Sequence, residues 1–329
     1  MNYNDGLTAQ STTRPLTGES VAPGLLSLTD TPSYDYGTIA IGASRDHTFT
    51  VTNTGSFVST SIGGSGLSAP FTFKGANVFP GTGGTCTTSL NPGASCTIVV
   101  TWAPIATGAQ SATMSVNYFS GSGNLSSTVG VQGVGANVAL ISMTDGPLYD
   151  FGDRATGSQT DKSITLTNTG GVPATSVTGG GLAAPFTFKN GTFPGTGGTC
   201  TGGTLAAGAS CTIVVTFAPG ANGTVNDIIE IDYNNGLVAH QVTRDLRGTG
   251  QPPAALTITN LPTYDFGPVA TTGFKDRVFT ITNTGGLTAT ALDGTGLALP
   301  FKFKGVAGTF PGTGGTCVTT LAPAATCTI

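Results

Sequence analysis

Charge is scarce in this chain. Of its 329 residues only 9% are Asp, Glu, Lys or Arg, and the net charge is -4. A phosphate-binding surface needs clustered Lys and Arg, so nucleic acid is not an expected partner. Arg244 and Arg247, the nearest candidates, flank Asp245 and read as a solvated strand. Long apolar runs are also missing. The longest, residues 97–102 and 213–217, fall far short of the ~20 residues a spanning helix needs, so no membrane-spanning segment is expected. The opening residues Met1-Asn2-Tyr3-Asn4-Asp5-Gly6 lack the basic start and apolar stretch of a secretory leader. Helical periodicity is absent, and the abundant residues discourage it. Gly, at 51 positions, costs about 1 kcal/mol per helical site relative to Ala, and Thr is stiffened by its branched Cβ.

What is present is a strand-forming chain with paired cysteines. β-branched and aromatic residues recur throughout, which argues against disorder. The six cysteines fall into three pairs, Cys86/Cys96, Cys200/Cys211 and Cys317/Cys327, each bracketing nine or ten residues. Zinc sites favour Cys-x2-Cys spacing or neighbouring His, and the chain has only His47 and His240. Even pairing at near-constant spacing predicts one local disulfide per repeat, formed in an oxidising compartment. The expected localisation is therefore extracellular or at the cell surface.

The chain repeats itself. Tyr34-Asp35-Tyr36-Gly37 returns as Tyr149-Asp150-Phe151-Gly152 and Tyr264-Asp265-Phe266-Gly267, at steps of 115 positions. Asn53-Thr54-Gly55 returns at Asn168 and Asn283, and the Phe71/Phe73 pair at Phe186/Phe188 and Phe301/Phe303. The run from Phe79 to Cys86 returns at 193–200 and 310–317. Residues 1–18 align without gaps to residues 231–248, and Ile329 corresponds to Ile213. The expected organisation is a hairpin belonging to a preceding repeat (1–20), two full repeats (21–136 and 137–250), and a third repeat (251–329) that stops before its last strands. On this reading the chain is a window from a longer array.

Within a repeat the alternation has period two: Phe49 and Val51 share one face, Cys96, Ile98, Val100 and Trp102 another, Met114, Val116 and Tyr118 a third. Asn-Thr-Gly, Asn-Pro-Gly and Asn-Asn-Gly mark turns between strands. About seven strands per repeat predict an all-β fold of tandem Ig-like sandwiches. The short junctions, one carrying Pro252-Pro253, predict a rod.

Assembled, these motifs resemble the bacterial Ig-like repeats of the choice-of-anchor D type, related to the ASH (abnormal-spindle and hydin) sandwich group. The features that carry the resemblance are the Tyr-Asp-Phe-Gly start, the Thr-Asn-Thr-Gly strand end and Phe-Pro-Gly-Thr-Gly-Gly-Thr-Cys followed by Ala-Ser-Cys-Thr-Ile-Val-Val-Thr-Phe-Ala-Pro. The resemblance implies a long surface or secreted protein with no catalytic residues.

Motifs that hint at chemistry have plainer explanations. Asp150-Phe151-Gly152 spells a kinase magnesium motif, but no other kinase element accompanies it, and its recurrence predicts an Asx-type turn. Gly81-Thr82-Gly83-Gly84 lacks the helix and Lys of a phosphate loop. His47 becomes Lys162 one repeat on, so the histidines define no shared site. Asp227, Glu230 and Asp232 form an acidic cluster that the first repeat lacks. The Phe pairs, with Trp102 and Phe217, are expected in the cores.

No catalytic, cofactor or metal residues are expected, and no enzymatic activity. The expected function is a structural segment: a stalk, spacer or extracellular fibre. An adhesin-type binding module, contacting carbohydrate or protein through exposed turns, is the alternative. The expected partners are neighbouring repeats of the same chain. The ends leave two resolutions: sequence on either side completes both partial repeats, or the 1–18 hairpin of one copy docks into the third repeat of the next and builds a filament. The 17 residues that such a hairpin does not supply favour the first.

Overall fold

A computed structural model describes residues 1–329 and divides them into two compact units, Met1–Val138 and Ala139–Ile329. In the first, β1 (Asn2–Asn4) and β2 (Ala9–Ser11) form a separate exposed hairpin. Nine strands follow: β3 (Leu26–Leu28), β4 (Ser33–Ala40), β5 (Arg45–Asn53), β6 (Ser59–Ser65), β7 (Phe71–Phe73), β8 (Ser89–Leu90), β9 (Ser95–Trp102), β10 (Gly108–Phe119) and β11 (Asn124–Ala136). They form a four-stranded sheet, β3-β5-β9-β7, and a five-stranded sheet, β4-β11-β10-β6-β8. Neighbours are antiparallel except β4 and β11, which run parallel with Tyr34 opposite Val131 and Ile39 opposite Gly135.

The period-two pattern places one row of each sheet against the other. Phe49 and Val51 of β5, Ile98, Val100 and Trp102 of β9, and Met114, Val116 and Tyr118 of β10 all belong to one buried cluster. Trp102 stacks on Phe71, with ring centroids 5.7 Å apart. Opposite it lies Gly133, where any Cβ would strike the indole. Gly81 has φ +84°, and a side chain there would collide with the carbonyl oxygen of Val99. These are positions where only glycine fits.

In the second unit nine strands repeat the arrangement: β12 (Ile141–Met143), β13 (Leu148–Ala155), β14 (Thr160–Asn168), β15 (Ala174–Gly180), β16 (Phe186–Phe188), β17 (Gly203–Leu205), β18 (Ser210–Phe217), β19 (Gly223–Asn234) and β20 (Ala239–Gln251). The sheets are β12-β14-β18-β16 and β13-β20-β19-β15-β17, the same orders as before. Phe217 replaces Trp102 and stacks on Phe186 at 4.7 Å, facing Gly248. Nine strands per sandwich exceed the seven expected; the Phe71/Phe73 alternation of β7 is legible, but a two-residue pairing such as β8 is too short to show any. The sole helical element is a 3-10 turn, Lys189–Gly191.

The unit continues into β21 (Leu256–Ile258), β22 (Thr280–Asn283), β23 (Ala289–Thr290), β24 (Thr320–Leu321) and β25 (Thr326–Thr328), in two small sheets, β21-β22-β25 and β23-β24. Here the expected burial of the first Phe of each pair fails. Phe71 and Phe186 are fully buried, whereas Phe301 is 54% exposed. In the preceding sandwich β19 and β20 complete the second sheet; residues 252–329 carry no such pair of strands. For the same reason residues 264–267 adopt no strand, whereas their counterparts in β4 and β13 pair with β11 and β20.

Candidate functional site

The most repeated polar arrangement is built around an asparagine. Asn53, Asn168 and Asn283 end their strands and are completely buried. Asn53 Oδ1 accepts from the N–H groups of Leu25 and Gly55, and Nδ2 donates to the carbonyls of Phe57 and Leu90. Asn168 makes the equivalent four bonds with Leu140, Gly170, Val172 and Leu205. Asn283 does so with Ala255, Gly285, Leu287 and Leu321. A residue expected to mark a turn is therefore a clasp joining three segments, with both lone-pair directions and both N–H groups engaged. Asparagine recurring without a glycine directly after it was the available signal.

Seven residues before each clasp asparagine, toward the opposite end of the strand, an aspartate makes a recurring pair at a half-exposed position. Asp46 pairs with Lys74 at 2.8 Å and accepts from the Thr101 hydroxyl at 2.6 Å. Asp161 does the same with Lys189 and Thr216, and Asp276 pairs with Lys304. The lysine hydrogen bond, then the threonine one, holds the Asp46 and Asp161 carboxyls below their ordinary range. A second column was missed in sequence. His47 stacks on Tyr34 with centroids 3.5 Å apart and meets Asp30 at 3.0 Å. Lys162 lies over Tyr149 and meets Asp145 at 3.1 Å. Arg277 lies over Tyr264, with Asn260 at the acid's position. The histidine does not recur, yet its place does: each repeat sets a basic side chain on a tyrosine face. Residue class at 115-residue steps, rather than identity, would have shown it.

Asp35, Asp150 and Asp265 each accept the N–H of the glycine two residues on, at 2.7, 2.8 and 2.7 Å, forming Asx-type turns. Arg247 caps Asp150 with two hydrogen bonds. Arg244 departs from the solvated reading. It is half-buried and donates to the Met143 carbonyl, because β20 runs beside the segment that links β12 and β13. Asp227 does not converge with Glu230 and Asp232: odd and even positions of β19 face opposite sides, and Asp227 is bonded to the N–H of Ala183. His240 contacts the Gln241 carbonyl, and His47 lies in the other unit.

The cysteines pair within their own repeats: Cys86–Cys96, Cys200–Cys211 and Cys317–Cys327, with Cα separations of 4.8, 4.9 and 4.8 Å. Each bridge ties the loop after the Phe-Pro-Gly turn to the second strand beyond it, β9, β18 or β25. Beside it a threonine pair exchanges hydrogen bonds, Thr85 with Thr97, Thr199 with Thr212 and Thr316 with Thr328. Two shallow depressions mark the surface, about 260 Å³ beside Asp35, Gln110 and Gln132 and about 180 Å³ beside Cys200–Cys211. What these groups do is tie turns and sheets together inside each repeat.

Residues 143–249 match the family model of the HYDIN/CFA65/VesB-like Ig-like domain. No curated protein matches the chain. Among solved structures, a three-Ig stretch of titin is 11% identical, with 94% of this chain and 89% of that one covered and a TM-score of 0.36. The ASH / PapD-like domain 7 of human CEP192 is 15% identical, covering 35% of this chain and 87% of that one at a TM-score of 0.27. The Vibrio cholerae VesB protease is 20% identical, covering 34% and 32% at 0.28. The fold is an all-β, Ig-like sandwich, and the chain is similar to modules of the HYDIN/VesB group.

Proposed function

We propose that this chain is a structural segment of a long, secreted or surface-exposed bacterial repeat protein of the choice-of-anchor D type, serving as a stalk, spacer or extracellular fibre. The observation that carries this reading is the repetition of internal ties. The asparagine clasp, the Asp–Lys pair and the disulfide return at corresponding places in every repeat, and each is engaged within its own repeat. A role that asks a module only to hold its shape and be strung in series requires such ties and little else. One bridge per repeat supports an oxidising compartment. The reading assigns the chain no catalytic activity, no cofactor and no nucleic-acid partner; its partners are the neighbouring repeats.

The test is length against repeat number. Chains carrying two, four and six copies of the residue 137–250 repeat, imaged by electron microscopy, are expected to lengthen by a constant increment per copy. Particles whose longest dimension does not grow with copy number would sink the spacer reading.

A further inference from the structure

Two folded modules on one chain turn against each other only through backbone torsions that neither module holds. Each residue offers φ and ψ, so the place where the bonds of one repeat stop and those of the next begin decides how freely they turn. The two junctions of this chain differ there. After the first sandwich the last bonded carbonyl is that of Ala136, which accepts the Ile41 N–H at 2.8 Å. The next bonded group is the Ala139 N–H, which donates to the Asn235 carbonyl of the second sandwich at 2.9 Å. Between them lie φ and ψ of both Asn137 and Val138, and neither residue makes a backbone hydrogen bond.

At the second junction Gln251 corresponds to Ala136, and its carbonyl accepts the Thr156 N–H at 2.8 Å. The carbonyl of the very next residue, Pro252, already belongs to the third repeat and accepts the Gly286 N–H at 3.0 Å. Gly171, the counterpart of Gly286 in the second repeat, makes no such bond to Asn137. Only φ and ψ of Pro252 separate the two bonded groups. Its own ring holds φ at about −65°. Pro253 closes the helical range of ψ and leaves the extended one. Gly286 lets the segments meet: a Cβ there would come within 2.6 Å of Pro252 Cδ and 3.1 Å of Gln251 Oε1. The compact units divide along the same line. The first ends at Val138, whereas residues 251 and 252 lie inside the second.

We propose that the two junctions are unlike devices: residues 137–138 form a hinge, and residues 251–253 form a locked joint that makes the second and third repeats move as one body. Stiffness is then set junction by junction, by a dipeptide, and not by the sandwiches themselves. Asn-Val leaves the chain free to bend, whereas Pro-Pro, with a glycine at 286 to receive it, does not. The even rod expected from the short junctions gives way to rigid stretches joined at chosen places. This goes beyond the spacer reading and is tested apart from it, since the length series above contains neither native junction.

The experiment is measurement of backbone residual dipolar couplings for the full chain in a dilute aligning medium, with an alignment tensor fitted to each repeat. The second and third repeats are expected to share one tensor, and the first to need another. Two variants exchange the junction dipeptides. Asn137→Pro with Val138→Pro is expected to abolish the difference between the first repeat and the others. Pro252→Asn with Pro253→Val is expected to split the tensor that the second and third repeats share. Thermal melts of both variants should match the parent, because neither exchange removes a bonded N–H. A parent chain whose three repeats all share one tensor overturns the proposal, as does one whose second and third repeats differ. Folded variants whose tensors stay as in the parent overturn it too, since the dipeptides would then not set the freedom of the junctions.

Discussion

At the scale of single residues, the repeats act as controls for one another. Ser59 is completely buried and its hydroxyl has no hydrogen-bond partner in the protein, while Ala174 and Ala289 hold the same place in the later repeats. An unsatisfied buried hydroxyl costs about 1–3 kcal/mol, so Ser59→Ala is expected to stabilise the first sandwich by about 1 kcal/mol in a denaturant titration. The asparagine clasp works in the opposite direction. Asn168→Asp keeps the shape but turns two donors into acceptors facing the carbonyls of Val172 and Leu205 in a buried site. A loss of about 3–5 kcal/mol is expected from the unpaired charge, and an unchanged unfolding midpoint would show that the clasp is not needed. The clasp was hidden in the sequence because Asn followed by Thr-Gly is also what a turn looks like. Only the positions of segments far apart in sequence, such as Leu90 beside Asn53, distinguish the two.

At the scale of elements, strands with strict alternation were legible: β5, β9 and β10 show in their residue order which side is buried. The turns at Asp35, Asp150 and Asp265 were legible too, since an Asp two residues before a glycine has its acceptor at hand. Two-residue strands such as β8 were not, because alternation cannot be seen over so short a run. Nor was the exposure of Phe301, which depends on strands contributed from elsewhere. The Cys200–Cys211 hairpin offers the test at this scale. Its bridge spans 11 positions, and closing a loop of that size restricts the unfolded chain by about 2.5–3 kcal/mol in the loop-entropy account. Replacing both cysteines with Ala is expected to lower the stability of the residue 137–250 sandwich by about that amount. A midpoint that does not move on reduction would mean the threonine pair Thr199–Thr212 holds the loop unaided.

At the scale of the whole molecule, stability is expected to depend on pH at the acid end through carboxylates, and again above pH 10, because burial holds the Tyr36 hydroxyl well above its ordinary value of 10.0. Asp46 and Asp161 are held below their ordinary value of 3.8 by lysine and threonine hydrogen bonds. Asp30, Asp145 and Asp150 are held below it by hydrogen bonds from His47, Lys162 and Arg247 respectively. A carboxyl whose folded value is depressed contributes stability that is full above its unfolded value and is lost as pH falls through the folded one. Melting temperature is therefore expected to stay level from neutral pH to about 5 and to fall below about 4. Because these side chains are partly exposed, the contribution is small and added salt is expected to flatten the fall. A melting temperature that held constant to pH 2 would show that the ion pairs do not contribute.

The parallel pairing of β4 with β11, repeated in β13 with β20, has a mechanical side. In each complete sandwich the strand near the start of the repeat lies alongside the strand that ends it, paired at six positions in each case. Tension drawing the two ends of a repeat apart pulls these neighbours lengthwise past each other. The load then falls on the whole ladder in shear, not on one bond at a time as when a hairpin is unzipped. Pulled along the chain, such a repeat is expected to hold until its ladder slips and then to yield abruptly, as a unit.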